Sequence, residues 1–232
     1  MMKKIVFPSQ KIIGILAGMG PKSTAPFIEK VIAQCQIQYG AKDDIDFPPM
    51  MIYSLPTPFY VDRPLDHQKI KRIVSQGLAA LESMGVSFIA IPCNTVHAYY
   101  DSLQKSISIP LLNIVEETLR DVPAQSRVTV LGTKTTHASN IYQQGIQKVN
   151  STFVFKEEWQ EQVNTLITLS KEGKNVISLW KKLLAQFKKE RIEVIILACT
   201  DLSLLPKSGF RVIDSSEELA KAVVRRYCNH DQ

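Results

Sequence analysis

The sequence predicts an α/β fold of two pseudo-symmetric lobes, each a mostly parallel sheet flanked by helices, with the active site in the cleft between them. Three observations carry this expectation. Apolar, β-branched runs lead into glycine- or threonine-rich loops that open helices: Ile12 to Ala17 before "GMGPKST", and Val128 to Leu131 before "GTKTTHASNIY". Two further runs, in "VSFIAIPCNTVHAYY" (86–100) and "EVIILACTDLS" (193–203), end in a cysteine followed by polar residues. These units recur at matched spacing, since Cys93 and Cys199 lie 106 positions apart and Gly18 and Gly132 lie 114 apart. An internal duplication follows, with halves meeting near residue 112. The lobes are then 1–111 together with 212–232, and 112–211.

Each element has a local reason. Ile12 to Ala17 is a short continuous apolar run, as in a strand buried on both faces, and "APFIEKVIAQCQI" continues it as a helix. The proline-rich "DFPPMMIYSLPTPFYVDRPLDHQ" holds a strand candidate, Met50 to Leu55, and an irregular loop with Asp62 and Arg63. Long loops above a sheet are where binding residues collect. In "HQKIKRIVSQGLAALESMG", Ile70, Ile73, Val74, Gly77, Leu78 and Leu81 share one helical face ahead of the strand that ends at Cys93. "NVISLWKKLLAQFKKERI" plays the same part ahead of Cys199. The closing "FRVIDSSEELAKAVVRRYC" reads as a short strand and a helix capped by Ser215 or Ser216, packing back onto the first lobe.

Composition narrows the function. The chain has 232 residues, 45% hydrophobic and 22% charged, an ordinary globular balance. The charge of +6 concentrates in "WKKLLAQFKKERI", where Lys181, Lys182, Lys188 and Lys189 alternate with Trp180, Leu183, Leu184 and Phe187. That is the solvated face of an amphipathic helix, not the basic-aromatic interleaving that stacks bases, so no nucleic-acid partner is expected. No apolar run reaches the roughly 18 residues that cross a bilayer. The opening lysines resemble a signal peptide, but Pro8, Ser9, Gln10 and Lys11 break its apolar stretch; a cytoplasmic location is expected. The four cysteines, Cys35, Cys93, Cys199 and Cys228, form no C-x-x-C pair and read as free thiols.

Cys35 and Cys228 fall on helical segments and read as small buried hydrophobes. Cys93 and Cys199 sit at strand ends, where ligands bind in parallel sheets. Four readings apply to that pair. They could be buried hydrophobes, although Asn94-Thr95 and Thr200-Asp201 suit an exposed strand end better. They could hold a metal with His97, four residues after Cys93, although zinc sites usually show two close ligand pairs. A disulfide would close the cleft. Finally, they could face each other as acid and base, taking a proton from one face of a carbon acid and returning one to the other. Helix and strand ends would lower such thiol pKa values.

Six motifs, in order, resemble the cofactor-independent aspartate/glutamate racemases of the wider aspartate, glutamate and hydantoin group: "GILAGMGPKST", "VDRP", "IPCNTVH", "GTKTTHASNIY", "LSKEG" and "LACTDL". The resemblance implies a two-lobe fold, usually in a homodimer, that racemises aspartate, with glutamate as a further candidate substrate, without a cofactor. Cys93 and Cys199 would be the two bases, and Arg63 and Lys171 would hold substrate carboxylates. Met19 and Gly20 would line the first loop through backbone groups. Asn94, Thr95, Thr133 and Thr200 would contact the α-carboxylate and amino group. The sequence departs from the family at Ala198 and Asp201, where glycine and glutamate are common; Asp201 keeps the charge on a shorter arm. A silent amino-acid-binding homologue and a two-cysteine isomerase of another acid stand as alternatives.

Overall fold

The computed structural model describes residues 11–60, 64–203, 205–206 and 209–229. Strand β1 (Ile13–Ala17) is buried along its whole length and leads through a 3-10 turn, Pro21–Ser23, into α1 (Thr24–Tyr39). Gly40, at φ 76°, ends α1 in the left-handed conformation that glycine adopts freely. β2 (Met50–Ser54) and β3 (Phe88–Ala90) flank β1 in parallel, so the first sheet runs β2-β1-β3. Between them α2 (His67–Ser83) starts at Asp66, whose side chain accepts from the Lys69 N–H. Ile70, Val74, Leu78 and Leu81 are fully buried on its sheet-facing side, each contributing roughly 1.5–3 kcal/mol.

After β3 come a 3-10 turn (Thr95–Tyr99), α3 (Tyr100–Gln104) and α4 (Ile114–Leu119). The expected junction near residue 112 falls between a bridge pairing Leu111 with Ile89 and the Asn113 cap of α4. The second lobe follows as β4 (Arg127–Leu131), α5 (Lys134–Ala138), α6 (Ile141–Lys148), β5 (Thr152–Phe153), α7 (Glu157–Glu172), α8 (Ile177–Lys189), β6 (Val194–Leu197), β7 (Arg211–Asp214) and α9 (Ser215–Cys228). Its sheet is also parallel, in the order β5-β4-β6-β7.

Strand periodicity organises the core, because alternate side chains point to opposite faces. Ile13 and Ile15 of β1, Val128 and Val130 of β4, and Val194 and Ile196 of β6 enter one shared cluster with α1, α4, α6 and α9. The other faces go outward. Leu16 and Ile89 meet α2, while Leu131, Ile195 and Leu197 meet Trp159, Leu166, Trp180 and Phe187 of α7 and α8. The two sheets therefore share a central core and keep a private one each.

The closing segment divides between the lobes. Its strand, β7, pairs with β6 in the second sheet, whereas α9 packs against α1 of the first lobe and against α4. Its cap also differs from the expected serine. Asp214, extended at φ −94° and ψ 112°, accepts from the Ser216 N–H and so caps α9, which releases Ser215 for another bond. Among the described residues, no helix is long and apolar enough to cross a membrane.

Candidate active site

The strand ends of both sheets open on one cavity of about 1150 Å³. Its floor is set by glycine. Gly18, at φ 90°, lets β1 turn beside Leu55; a Cβ there would sit 2.7 Å from the Leu55 nitrogen, closer than any side chain tolerates. Gly20 brings the first loop against the second lobe, where the position of its missing Cβ is 3.4 Å from Asp201 Oδ1. The loop is closed by Ser23 Oγ donating to the Gly20 carbonyl at 2.8 Å.

Cys93 leaves β3 with its N–H donating to the Ile91 carbonyl at 2.8 Å. The N–H groups of Thr95 and Val96, in the turn that follows, point back at its sulfur. Thr95 Oγ1 crosses the lobe boundary to Thr133 Oγ1 at 3.0 Å, and Thr133, the cap of α5, lies 3.0 Å from Thr136 Oγ1. Cys199 follows the end of β6, with the Asp201 N–H directed at its sulfur, and Thr200 Oγ1 crosses back to Ser23 Oγ at 3.0 Å. Each thiol thus sits beside a hydroxyl bridge to the opposite lobe.

Asp201 and Lys171 supply the charges. Asp201 Oδ2 lies 3.8 Å from Cys199 Sγ and 3.8 Å from Lys171 Nζ. Lys171 is both the cation expected from "LSKEG" and a helix-end residue, since it occupies the last turn of α7 just before Gly173. The cavity wall includes Met19, Gly20, Cys93, Asn94, Thr95, Thr133, Lys171, Cys199, Thr200 and Asp201. Arg63 lies outside the described residues.

Two expectations need correction. Burial first, and then the Asp201 carboxylate, pushes the Cys93 thiol up to about 11, despite the opposing Val96 and Thr95 N–H groups and Lys171. The same two causes raise Cys199. The helix and strand ends do not depress either thiol, because desolvation in this cleft outweighs a few oriented N–H groups. Burial likewise raises Asp201, against the pull of Lys171. The second correction concerns Asn94. Its carboxamide turns behind the cleft to Tyr142 and Ser215, so its side-chain bonds are made inside the fold.

His97 is also spoken for. Nδ1 lies 2.8 Å from the Cys93 carbonyl and Nε2 3.3 Å from the Leu112 carbonyl; burial lowers the ring's pKa, and a neutral ring donates to one of these two carbonyls. The four-residue spacing from Cys93 therefore serves the main chain. No group of three or more His, Cys, Asp or Glu side chains among the described residues is arranged to hold a metal.

The sequence reading missed two walls. One is Phe59, Tyr60, Leu65, His67 and Tyr99; the other is the face of α7 bearing Asn164, Thr165 and Thr168. The second had a signal. Asn164, Thr168 and Lys171 form a polar stripe at helical spacing, alongside the buried face of Val163, Leu166 and Ile167.

The profile of the family described as Asp/Glu/Hydantoin racemase matches residues 16–223. The broad specificity amino-acid racemase RacX of Bacillus subtilis is 47% identical over 223 residues, covering 93% of this chain and 98% of that one. The structure of the Picrophilus torridus aspartate racemase superposes with a TM-score of 0.79 at 25% identity, covering 96% of both chains. An aspartate racemase homologue from Pyrococcus horikoshii gives 0.75 at 27% identity, over 95% of this chain and all of the other.

Proposed function

The chain belongs to the Asp/Glu/Hydantoin racemase family, and we propose that it interconverts the L and D forms of amino acids, without a cofactor, through Cys93 and Cys199. The observation that carries this is the placement of both thiols, Cys93 just past β3 of the first sheet and Cys199 just past β6 of the second, on one cavity. One cysteine enters as thiolate and takes the α-proton, becoming a thiol. The other gives its proton to the opposite face of the α-carbon and becomes the thiolate. The electron pair rests meanwhile on the substrate carboxylate as an enediolate-like group, which needs donors aimed at the carboxylate oxygens. The hydroxyls of Thr95, Thr133 and Thr200 and the main-chain N–H groups beside each cysteine suit that task.

The raised thiol pKa values assign a role to the substrate itself. Burial disfavours the thiolate of either cysteine in the free cleft, and the α-ammonium of an arriving amino acid brings a positive charge that favours it, the displaced proton passing to solvent before the thiolate takes the α-proton. Substrate binding thus helps make the base it needs.

Aspartate belongs to the proposed substrate range, through Lys171. The range extends further, for two reasons. The cavity exceeds what a four-carbon acid fills, and Lys171 is already paired with Asp201, which weakens its claim on a second side-chain carboxylate. The relationship to a broad-specificity racemase supports this. The homodimer implied by the motifs forms part of the same proposal: Ile37, Ile45 and Ile52 stand exposed on α1, the loop after it and the edge strand β2, where a second copy would cover them. Light scattering giving twice 26.1 kDa tests that point.

The activity is tested by incubating the dialysed enzyme with a panel of L-amino acids and reading D product by chiral chromatography. Conversion of aspartate and of several neutral amino acids, lost in both Cys93→Ser and Cys199→Ser, is expected. Turnover that survives either substitution, or that requires added pyridoxal phosphate, would overturn the proposal.

A further inference from the structure

Tyr142 and Ser215 stand outside the cleft wall, yet they tie the loop that carries Cys93 to the strand that carries Cys199. Tyr142, on α6, donates its phenolic hydrogen to Asn94 Oδ1 at 2.6 Å. Asn94 Nδ2 donates to Ser215 Oγ at 2.8 Å. Ser215 Oγ donates in turn to the Leu197 carbonyl at 2.8 Å. None of the four residues is more than 2% exposed.

Chemistry fixes the direction of this relay. The Leu197 carbonyl can only accept, so the Ser215 hydroxyl hydrogen is committed to it and the Ser215 oxygen must accept from an amide N–H. That places Oδ1 of Asn94 toward Tyr142. Burial raises the Tyr142 phenol and keeps it protonated as the donor. Asn94 directly follows Cys93, and Leu197 precedes Cys199 by two residues. We propose that Tyr142 and Ser215 are positioning residues that set the separation of the two thiols across the substrate α-carbon, acting through the Asn94 carboxamide.

The other bonds across the lobe boundary are less suited to this. Thr95, Thr133 and Thr200 line the cavity and can exchange their partners for ligand atoms. In the Tyr142–Asn94–Ser215–Leu197 relay Asn94 borders the cavity, but both ends of its carboxamide are engaged by Tyr142 and Ser215, which stand outside the wall, so the relay stays made when the site fills.

The inference rests on the two-thiol reading and has a stereochemical consequence. With the thiols correctly spaced, a proton lost from one face is replaced from the other. With the relay cut, the abstracting thiol still works, but its partner is out of reach. The abstracting thiol then returns a solvent-exchanged proton to the face it came from. Misplacement by roughly 1 Å can cost on the order of 100-fold in rate, and here the cost falls on inversion more than on exchange.

The test uses Tyr142→Phe and Ser215→Ala in heavy water, with L-aspartate or the L-amino acid that wild type turns over fastest. The α-proton is followed by NMR and the enantiomer by chiral chromatography. In both variants kcat for inversion should fall roughly 10- to 100-fold, with KM within about two-fold because substrate contacts are kept. The ratio of proton exchange to inversion should rise several-fold. Ser215→Thr, which keeps the hydroxyl, should restore the wild-type ratio. A loosened fold lowers both rates together and leaves the ratio unchanged; that result in Tyr142→Phe, which retains the ring, would overturn the proposal even if Ser215→Ala does not fold. Cys93→Ser and Cys199→Ser separate the two levels. If racemisation survives them, the two-thiol reading fails; if they abolish it while Tyr142→Phe keeps the wild-type ratio, only the relay fails.

Discussion

Replacing Asp201 with asparagine should make Cys199 a stronger acid. Asp201 Oδ2 is 3.8 Å from Cys199 Sγ, so a thiolate there forms against a carboxylate nearly in contact. Two like charges at that separation repel by about 4 kcal/mol at an effective dielectric of about 20, equivalent to about 3 pKa units. Lys171, 3.8 Å from the same oxygen, already offsets part of this. Once the carboxylate is gone, the lysine acts on the sulfur without a competitor. The net downward shift of Cys199 should therefore lie between about 1 and 3 units. Asparagine keeps the shape, so cavity packing is not the variable. The assay is the pH dependence of iodoacetamide alkylation at Cys199, resolved from the other cysteines by mass spectrometry. Cys93, also raised by Asp201, should move the same way by less. An unchanged or higher Cys199 midpoint would refute the electrostatic reasoning, and burial would then be the sole cause of the raised thiol.

Other expectations follow from single features. Gly18→Ala places a Cβ 2.7 Å from the Leu55 nitrogen at φ 90°; conformational strain alone costs roughly 1–3 kcal/mol, so thermal unfolding should show Tm lower by at least about 2 °C, and an unchanged Tm would contradict the role given to the glycine turn. Leu78→Ala, on the buried face of α2, should cost about 2–5 kcal/mol in urea unfolding. Stability should depend on pH at both ends. Cys93 is raised from 9.0 to about 11, so the unfolded chain loses this proton first, and stability present below pH 9 should decline by up to about 3 kcal/mol as pH rises toward 11. His137, packed against Phe155 and pulled down from 6.5 to about 4 by burial, works in the opposite sense. The unfolded chain takes up the proton first, so stability held above pH 6.5 should fall by at most about 3 kcal/mol on approaching pH 4. Urea midpoints for wild type and His137→Gln at pH 7 and 4.5 check this, since the variant should show the smaller loss.

The parts of the fold written in local pattern were legible. Runs such as Ile13–Ala17 and Val194–Leu197 end in loops that open helices, and that grammar locates the sheets, the cleft at their ends and both cysteines. Partnering was not legible in the same way. "RVID" is a four-residue strand whose alternation says nothing about its neighbour, and it joined β6 in the second sheet. Asp214, not the serine after it, caps α9, because a strand-end carboxylate can reach the Ser216 N–H first. The thiol pKa values went against expectation because burial is a tertiary property. An N–H dipole can be inferred from sequence, whereas the desolvation opposing it depends on what the second lobe places over the sulfur. Asn94 was named as a site residue, but the bonds of its carboxamide were not legible for the same reason, since its partners, Tyr142 and Ser215, lie 48 and 121 positions away.

The most direct test of the two-thiol mechanism is face-specific proton exchange by the single-cysteine variants. Each enantiomer of a confirmed substrate is incubated in heavy water with Cys93→Ser or Cys199→Ser, and loss of the α-proton is followed by NMR. If each thiol serves one face, one variant exchanges only the L form, the other exchanges only the D form, and neither inverts. Exchange of the same enantiomer by both variants, or inversion by either, would contradict a site built from two opposed thiols.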